Sequence, residues 1–175
     1  MAIRTIREIG DPILSKKAKE IKEMTPRTRE LIADMYETLR SAEGVGLAAP
    51  QVGILKRLVV IECEEGKPYT LINPVIRERD GEQRGYEGCL SVPDRTGIVT
   101  RPAHVVCDAL DENMEPYTID ATDLLARCIC HELDHLDGHL YTEIAEEIFT
   151  NEELAEREKE QEEAERAEEK GGDQE

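Results

Sequence analysis

His131-Glu132-Leu133-Asp134-His135 is the segment of this chain best equipped for chemistry. On a helix, residues i and i+4 share a face with Cβ atoms about 5–6 Å apart, so two imidazoles there can hold one metal ion. Glu132, beside the first histidine, can reach a water at such an ion and act as general base. The plainer alternative is a helix with two surface histidines and a chance glutamate. The surrounding helix is otherwise apolar, which weakens that alternative. A catalytic metal needs a third protein ligand and an open position. In the longer metalloprotease pattern HExxHxxGxxH, a third histidine follows the glycine. This chain matches through Gly138, but Tyr141 stands where that histidine would be. His139 comes two positions early and reads as an exposed residue. A distant glutamate stays open as the third ligand, and so does Cys89, in Glu87-Gly-Cys-Leu-Ser-Val-Pro93. A thiolate with two imidazoles suits Zn²⁺ or Fe²⁺.

The other candidates read more simply. Cys63 and Cys107 lie in expected strands and fit small core hydrophobes. Cys128 is one turn before His131 and belongs on the apolar helix face near the site. Cys130 is adjacent to His131, and neighbouring helical residues point about 100° apart, so it is a poor partner in ligation. His104, beside Val105 and Val106, reads as a structural histidine.

The elements that must position these groups follow from pattern. Thr25-Pro26 marks a helix start, and Leu31, Ile32, Met35 and Leu39 follow at helical spacing to about Ala42. Gly44-Val-Gly-Leu-Ala-Ala-Pro-Gln51 reads as a loop of special backbone shape. Strands are expected over 57–63, 69–72, 75–79, 96–100, 104–110 and near 117–119. Asn73-Pro74 is expected to break one of them, and Asp80-Gly81 is a hairpin-turn signal. Thr122 or Asp123 can cap a helix through Leu124, Leu125, Cys128, Ile129 and Leu133 that ends near Gly138. Residues 151–170 are rich in Glu, Ala and Arg with little apolar periodicity, a solvated helix or a disordered tail. The order predicts an α+β fold. Mostly antiparallel strands would surround a central helix carrying HExxH, with an N-terminal helix and an acidic tail. We divide the chain into a catalytic domain over 1–147 and an extension over 148–175.

Composition limits the partners. Net charge is -18, from 40 acidic and 22 basic residues, and from Tyr141 onward 15 acidic residues face 4 basic ones. Direct nucleic-acid binding is not expected of so acidic a surface. No apolar run has the length of a membrane span, and Met1 to Gly10 lacks signal-peptide character, so the expected location is cytoplasmic. Disulfides are not expected there. The core must be mainly aliphatic, with one Phe, five Tyr and no Trp.

Three segments taken together, Gly44–Gln51, Glu87-Gly-Cys-Leu-Ser91 and His131–His135, resemble in order and separation the three signature motifs of the peptide deformylases. The likeness extends to Gly10-Asp-Pro12, Arg101-Pro102 and Leu136-Asp-Gly138, and covers about residues 3–145. It implies hydrolysis of the formyl group from N-formylmethionyl nascent peptides, releasing formate. It assigns the metal to Cys89, His131 and His135, the general base to Glu132, and oxyanion donors to the Gln51 amide and the Leu90 backbone N–H. It suggests Fe²⁺ in the cell, with Zn²⁺, Ni²⁺ or Co²⁺ able to substitute. Val45, Gly46, Glu87, Leu124 and Cys128 become candidates for binding substrate. Transient ribosome contact is a further implication. Three features depart from the family pattern: Cys130 replaces a usual Gln, Asp123 a common Gly, and the C-terminal extension is acidic where some members carry a basic helix. The rivals are an internal HExxH peptidase with another third ligand, and a structural metal module closed by Cys128 or His104.

Overall fold

Leu58-Val-Val-Ile61 is apolar at every position, the mark of a strand covered on both faces. The computed structural model, which describes residues 2–172, bears this out. Leu58 and Val60 pack with one core cluster and Val59 and Ile61 with another. Successive residues point to opposite faces of a strand, so one short segment serves both layers.

The helices and strands in chain order are α1 (Pro26–Ser41), β1 (Gly46–Ala48), β2 (Leu58–Ile61), β3 (Tyr69–Asp80), β4 (Gln83–Cys89), β5 (Val92–Arg101), β6 (His104–Leu110), β7 (Pro116–Thr122), α2 (Asp123–Leu136), β8 (Glu147–Thr150) and α3 (Asn151–Gly172). Five strands form a sheet in the order β1-β2-β3-β6-β7, and three form another in the order β4-β5-β8. All these strand pairings are antiparallel. The mixed α/β class with antiparallel sheets is therefore as expected. One face of the larger sheet takes Leu31, Ile32, Met35 and Leu39 of α1. The other takes Ala126, Ile129, Leu133 and Leu136 of α2. Thr25 caps α1, its hydroxyl accepting the Thr28 N–H at 3.1 Å.

Several local expectations need correction. The loop 44–51 contains strand β1 and a 3-10 turn, Ala49–Val52. Pairing of Gly46–Ala48 with Val59–Ile61 overrides the turn-forming composition. Asn73-Pro74 does not end a strand. Asn73 takes a φ of 49°, and the register shifts between Ile72 and Val75. The proline, which has no N–H to give, sits in a bulge. The Asn73 side chain holds that bulge by accepting the Ile21 N–H and donating to the Ile21 carbonyl. Asp80-Gly81 turns the chain, but β3 pairs with β2 and β6, while β4 leaves for the smaller sheet. β5 contains the strand expected over 96–100, but its partner β4 has no sequence signal, since Gln-Arg-Gly-Tyr-Glu-Gly-Cys is poor in strand formers.

Asp123 has a φ of 53°, a backbone state that favours glycine, and Thr122 makes no side-chain cap bond. Better capping is therefore not what Asp123 contributes. At the other end of α2, Gly138 has a φ of 82°, and a Cβ there would lie 2.6 Å from the Ser15 carbonyl oxygen. Strand β8 runs across the boundary expected at residue 147, because Glu147–Thr150 pairs with β5. None of the residues of α3 is buried.

Candidate metal centre

The α2 turn carries His131 and His135 to one face, with ring centroids 5.0 Å apart. Cys89, the last residue of β4, brings its thiol from the other sheet, and Sγ lies 3.3 Å from His135 Nε2. One ligand atom from each of these three residues lies within 4.8 Å of the others, and among the described residues no other group of three or more His, Cys, Asp or Glu does so. Both histidines are buried.

Charge holds this cluster in place. His131 Nδ1 is hydrogen-bonded to the Glu87 carboxylate, which turns Nε2 toward Cys89 and His135. Glu87 also accepts from Arg101 Nη2 at 2.7 Å and from Arg127 Nη1 at 2.9 Å. Arg101 reaches on to Asp134 at 2.6 Å. Burial would raise the Glu87 pKa, but the His131 and Arg101 hydrogen bonds overcome it and hold the carboxyl at about 2. Burial likewise opposes charge on His131, yet Cys89 and Glu87 pull its pKa up to about 10. Without a metal His131 is therefore held protonated, and an ion at Nε2 would take the place of that proton. His135 is pushed well below the usual histidine range by burial and by His131, which keeps its imidazole neutral, the ligating form. A soft thiol, two imidazoles and an anionic carboxylate behind one of them fit a divalent transition metal.

Glu132 is buried, and its Oε2 has no hydrogen-bond partner. Burial, the largest influence, pushes its carboxyl up to about 7 against the opposing effect of His131. Gly46 makes room for it, since a Cβ there would be 2.8 Å from Glu132 Oε1. Gly44 similarly accommodates Leu90. Gln51 rides on the 3-10 turn after β1. Its Oε1 accepts the Ala48 N–H at 2.9 Å, so its NH₂ is aimed at Ser91 Oγ, 3.0 Å away, and Cys89 Sγ, 3.6 Å away. The N-terminal arm braces both motifs, with Arg7 N–H on the Gln51 carbonyl and Ile9 N–H on that of Ser91.

These groups surround a cavity of about 330 Å³ whose lining includes Val45, Gly46, Gln51, Cys89, Leu90, Leu124, Cys128, His131 and Glu132. Val45, Leu124 and Tyr86 are partly exposed at its rim. Glu87 also borders it, but its carboxylate oxygens are occupied by Arg101, Arg127 and His131. Glu87 thus lines the cavity with both carboxylate oxygens already engaged by protein partners.

Sequence reasoning missed Arg127 and the role of Arg101. A basic residue four before His131 on the same helix face was the available signal for Arg127; Arg101 stands in the Arg101-Pro102 step of the family likeness, which does not say what it touches. Tyr141, which stands where the longer metalloprotease pattern has its third histidine, is buried with its ring stacked on His131 at 6.0 Å. His104 lies outside the cluster, clipped between Asp80 and Asp120 at 2.7 and 2.6 Å. His139 faces solvent beside Glu143. Cys107 and Cys130 are core residues. Cys63 is only partly buried, and its sulfur contacts that of Cys128.

Residues 3–150 match the family model described as polypeptide deformylase. The chain is 61% identical over 146 residues to a peptide deformylase of Agathobacter rectalis, covering 83% of this chain and 92% of that one. It is 57% identical over 145 residues to the peptide deformylase of Lachnoclostridium phytofermentans, covering 82% and 89%. Among solved structures, the peptide deformylase of Synechococcus elongatus in complex with actinonin aligns with a TM-score of 0.78 at 42% identity, covering 86% of this chain and 81% of that one. That of Legionella pneumophila aligns with a TM-score of 0.80 at 34% identity, covering 95% and 97%.

Proposed function

The chain belongs to the polypeptide deformylase family, and on that premise we propose that the cluster of Cys89, His131 and His135 is where it hydrolyses the formyl amide of nascent polypeptides. The reaction adds water to the formyl carbon, breaks the C–N bond, and leaves formate and a free N-terminal amine. The observation that carries the reading is a buried, unpartnered Glu132 carboxylate oxygen beside a thiol and two imidazoles at the end of a mainly apolar cavity.

In this reading Cys89 Sγ, His131 Nε2 and a ring nitrogen of His135 hold a divalent metal, with Fe²⁺ the proposed native ion and Zn²⁺, Ni²⁺ or Co²⁺ able to replace it. Such an ion supplies Lewis-acid polarisation to the formyl carbonyl and the attacking water. Glu132 takes a proton from that water and returns it to the leaving amine nitrogen. Its raised pKa near 7 suits a group that must do both at neutral pH. The Gln51 N–H now directed at Cys89 through a long 3.6 Å contact turns to the developing oxyanion, joined by the Leu90 backbone N–H. Glu87, fixed by Arg101 and Arg127, holds the His131 ring in register. Val45, Leu124 and Cys128 receive the methionine side chain, while Gly46 lines the path of the peptide backbone.

The setting we propose is the cytoplasm, with transient contact at the ribosome. Among the described residues no helix is long and apolar enough to cross a membrane. The acidic α3 is repelled by ribosomal RNA, so that contact uses another surface. The catalytic domain runs from the N-terminal arm through β8, and α3 is its extension.

The test is formate release from formyl-Met-Ala-Ser by nickel-loaded protein. Rapid release is expected, falling by roughly 10²–10⁴-fold in Glu132→Gln with metal content retained. No release from folded, metal-loaded wild type would overturn the reading.

A further inference from the structure

Cys63 follows β2 and Cys128 lies on α2, 65 residues apart in sequence, yet their sulfur atoms are hydrogen-bonded partners 3.2 Å apart. Neither belongs to the metal cluster. Their closeness comes from the packing of α2 on the sheet, which brings Cys63 against the core cluster that contains Cys128. Cys63 is only partly buried, so a small solute can reach it, whereas Cys128 is buried and borders the cavity. A disulfide needs its sulfurs about 2.05 Å apart, so the two side chains must close the remaining gap for a bond to form.

We propose that Cys63 and Cys128 form a reversible dithiol–disulfide couple, oxidised by a peroxide and reduced by a thiol, that reshapes the wall of the cavity. The Cys128 hydrogen bond lowers the Cys63 pKa despite burial, so Cys63 is the sulfur that ionises first. Its thiolate attacks one peroxide oxygen, the O–O bond breaks, and water leaves after taking up a proton. The sulfenic acid so formed on Cys63 is attacked by the Cys128 sulfur. The S–S bond forms, the S–O bond breaks, and a second water leaves with the Cys128 proton. Each sulfur loses one electron, and the peroxide gains two. Two molecules of small thiol reverse the change through a mixed disulfide.

The consequence for substrate rests on the proposed function; the cross-link does not. Bonding to Cys63 draws the Cys128 sulfur out of its present place in the cavity wall. It also ties α2 to the segment after β2. The methionine pocket is altered while Cys89, His131 and His135 are untouched, so the expected effect is on KM more than on kcat.

The experiment uses full-length, nickel-loaded protein titrated with hydrogen peroxide, then alkylated and mapped without reduction. One equivalent of peroxide is expected to remove two alkylatable thiols and to yield the peptide of Cys63 joined to that of Cys128. Dithiothreitol should restore both thiols. Reduced Cys63→Ser is expected to match wild-type turnover and to form no link. Oxidised wild type should show a KM raised several-fold, a change absent from treated Cys63→Ser. Loss of Cys89 or of nickel before Cys63 and Cys128 react would overturn the couple. So would a link found only between molecules. A clean internal link with unchanged KM would overturn its coupling to the pocket.

Discussion

In the proposed mechanism Glu87 acts only through the residues it holds. Three cationic side chains, two of them arginines, converge on one buried carboxylate, and His131 takes its orientation from it. Glu87→Gln should lower metal affinity by about 10–100-fold, read by chelator competition. The same residue sets an acid limit. Its carboxyl is held at about 2, below its ordinary value of 4.5. The depressed value means that Glu87 contributes stability above pH 4.5, which is lost as pH falls toward 2. Urea unfolding of metal-free wild type across that window should show the loss, and Glu87→Gln should lack that component. Gln51 acts on the transition state in the proposed mechanism. Gln51→Leu should cost about 10²-fold or more in kcat with little change in KM. A KM effect alone would assign Gln51 to ground-state binding.

At the scale of elements, α2 must end where the N-terminal arm crosses it. Gly138 permits this by taking a positive φ beside Ser15, and Ala18 N–H then bonds the Leu136 carbonyl at 2.8 Å. Gly138→Ala adds both backbone strain and a contact of 2.6 Å with a carbonyl oxygen. We expect a loss of about 2 kcal/mol or more in urea-melt stability. An unchanged midpoint would mean that the arm does not constrain this helix end. The β4–β5 hairpin matters equally, because it delivers Cys89, Glu87 and Arg101 from a sheet that shares no strand with the one under α2.

For the whole molecule, the metal cluster joins two sheets, whereas α3 contributes to neither core. Its ties to the globule include Arg157, over the Phe149 ring at 4.8 Å and 3.4 Å from Glu147. A chain truncated after Lys159 keeps those ties and, among the described residues, loses only exposed ones. Its unfolding free energy should stay within about 0.5 kcal/mol of the full chain, with equal kcat/KM on a formylated tripeptide. Its affinity for isolated ribosomes should rise at low salt, since an acidic repulsion has been removed. Weaker ribosome binding would instead assign α3 a protein partner there.

Local pattern was enough for the elements whose stability is local or whose chemistry repeats at a fixed interval. The i, i+4 histidines with Glu132, the capped α1 and the doubly apolar β2 all fall in this group, because helical and strand periodicity is a property of neighbours in sequence. Three short motifs were likewise enough for the family. Contacts between distant residues required the tertiary structure. β4 is a strand because β5 is there to pair with it, not because of its own residues. Arg101 and Arg127 reach the candidate site only through Glu87, which stands between them. Gly46 is needed for the space that Glu132 occupies, 86 residues further along the chain. The nearness of Cys63 to Cys128 was equally invisible. Each is an ordinary aliphatic-like residue in its own segment, and only the packing of α2 on the sheet brings the two sulfurs together.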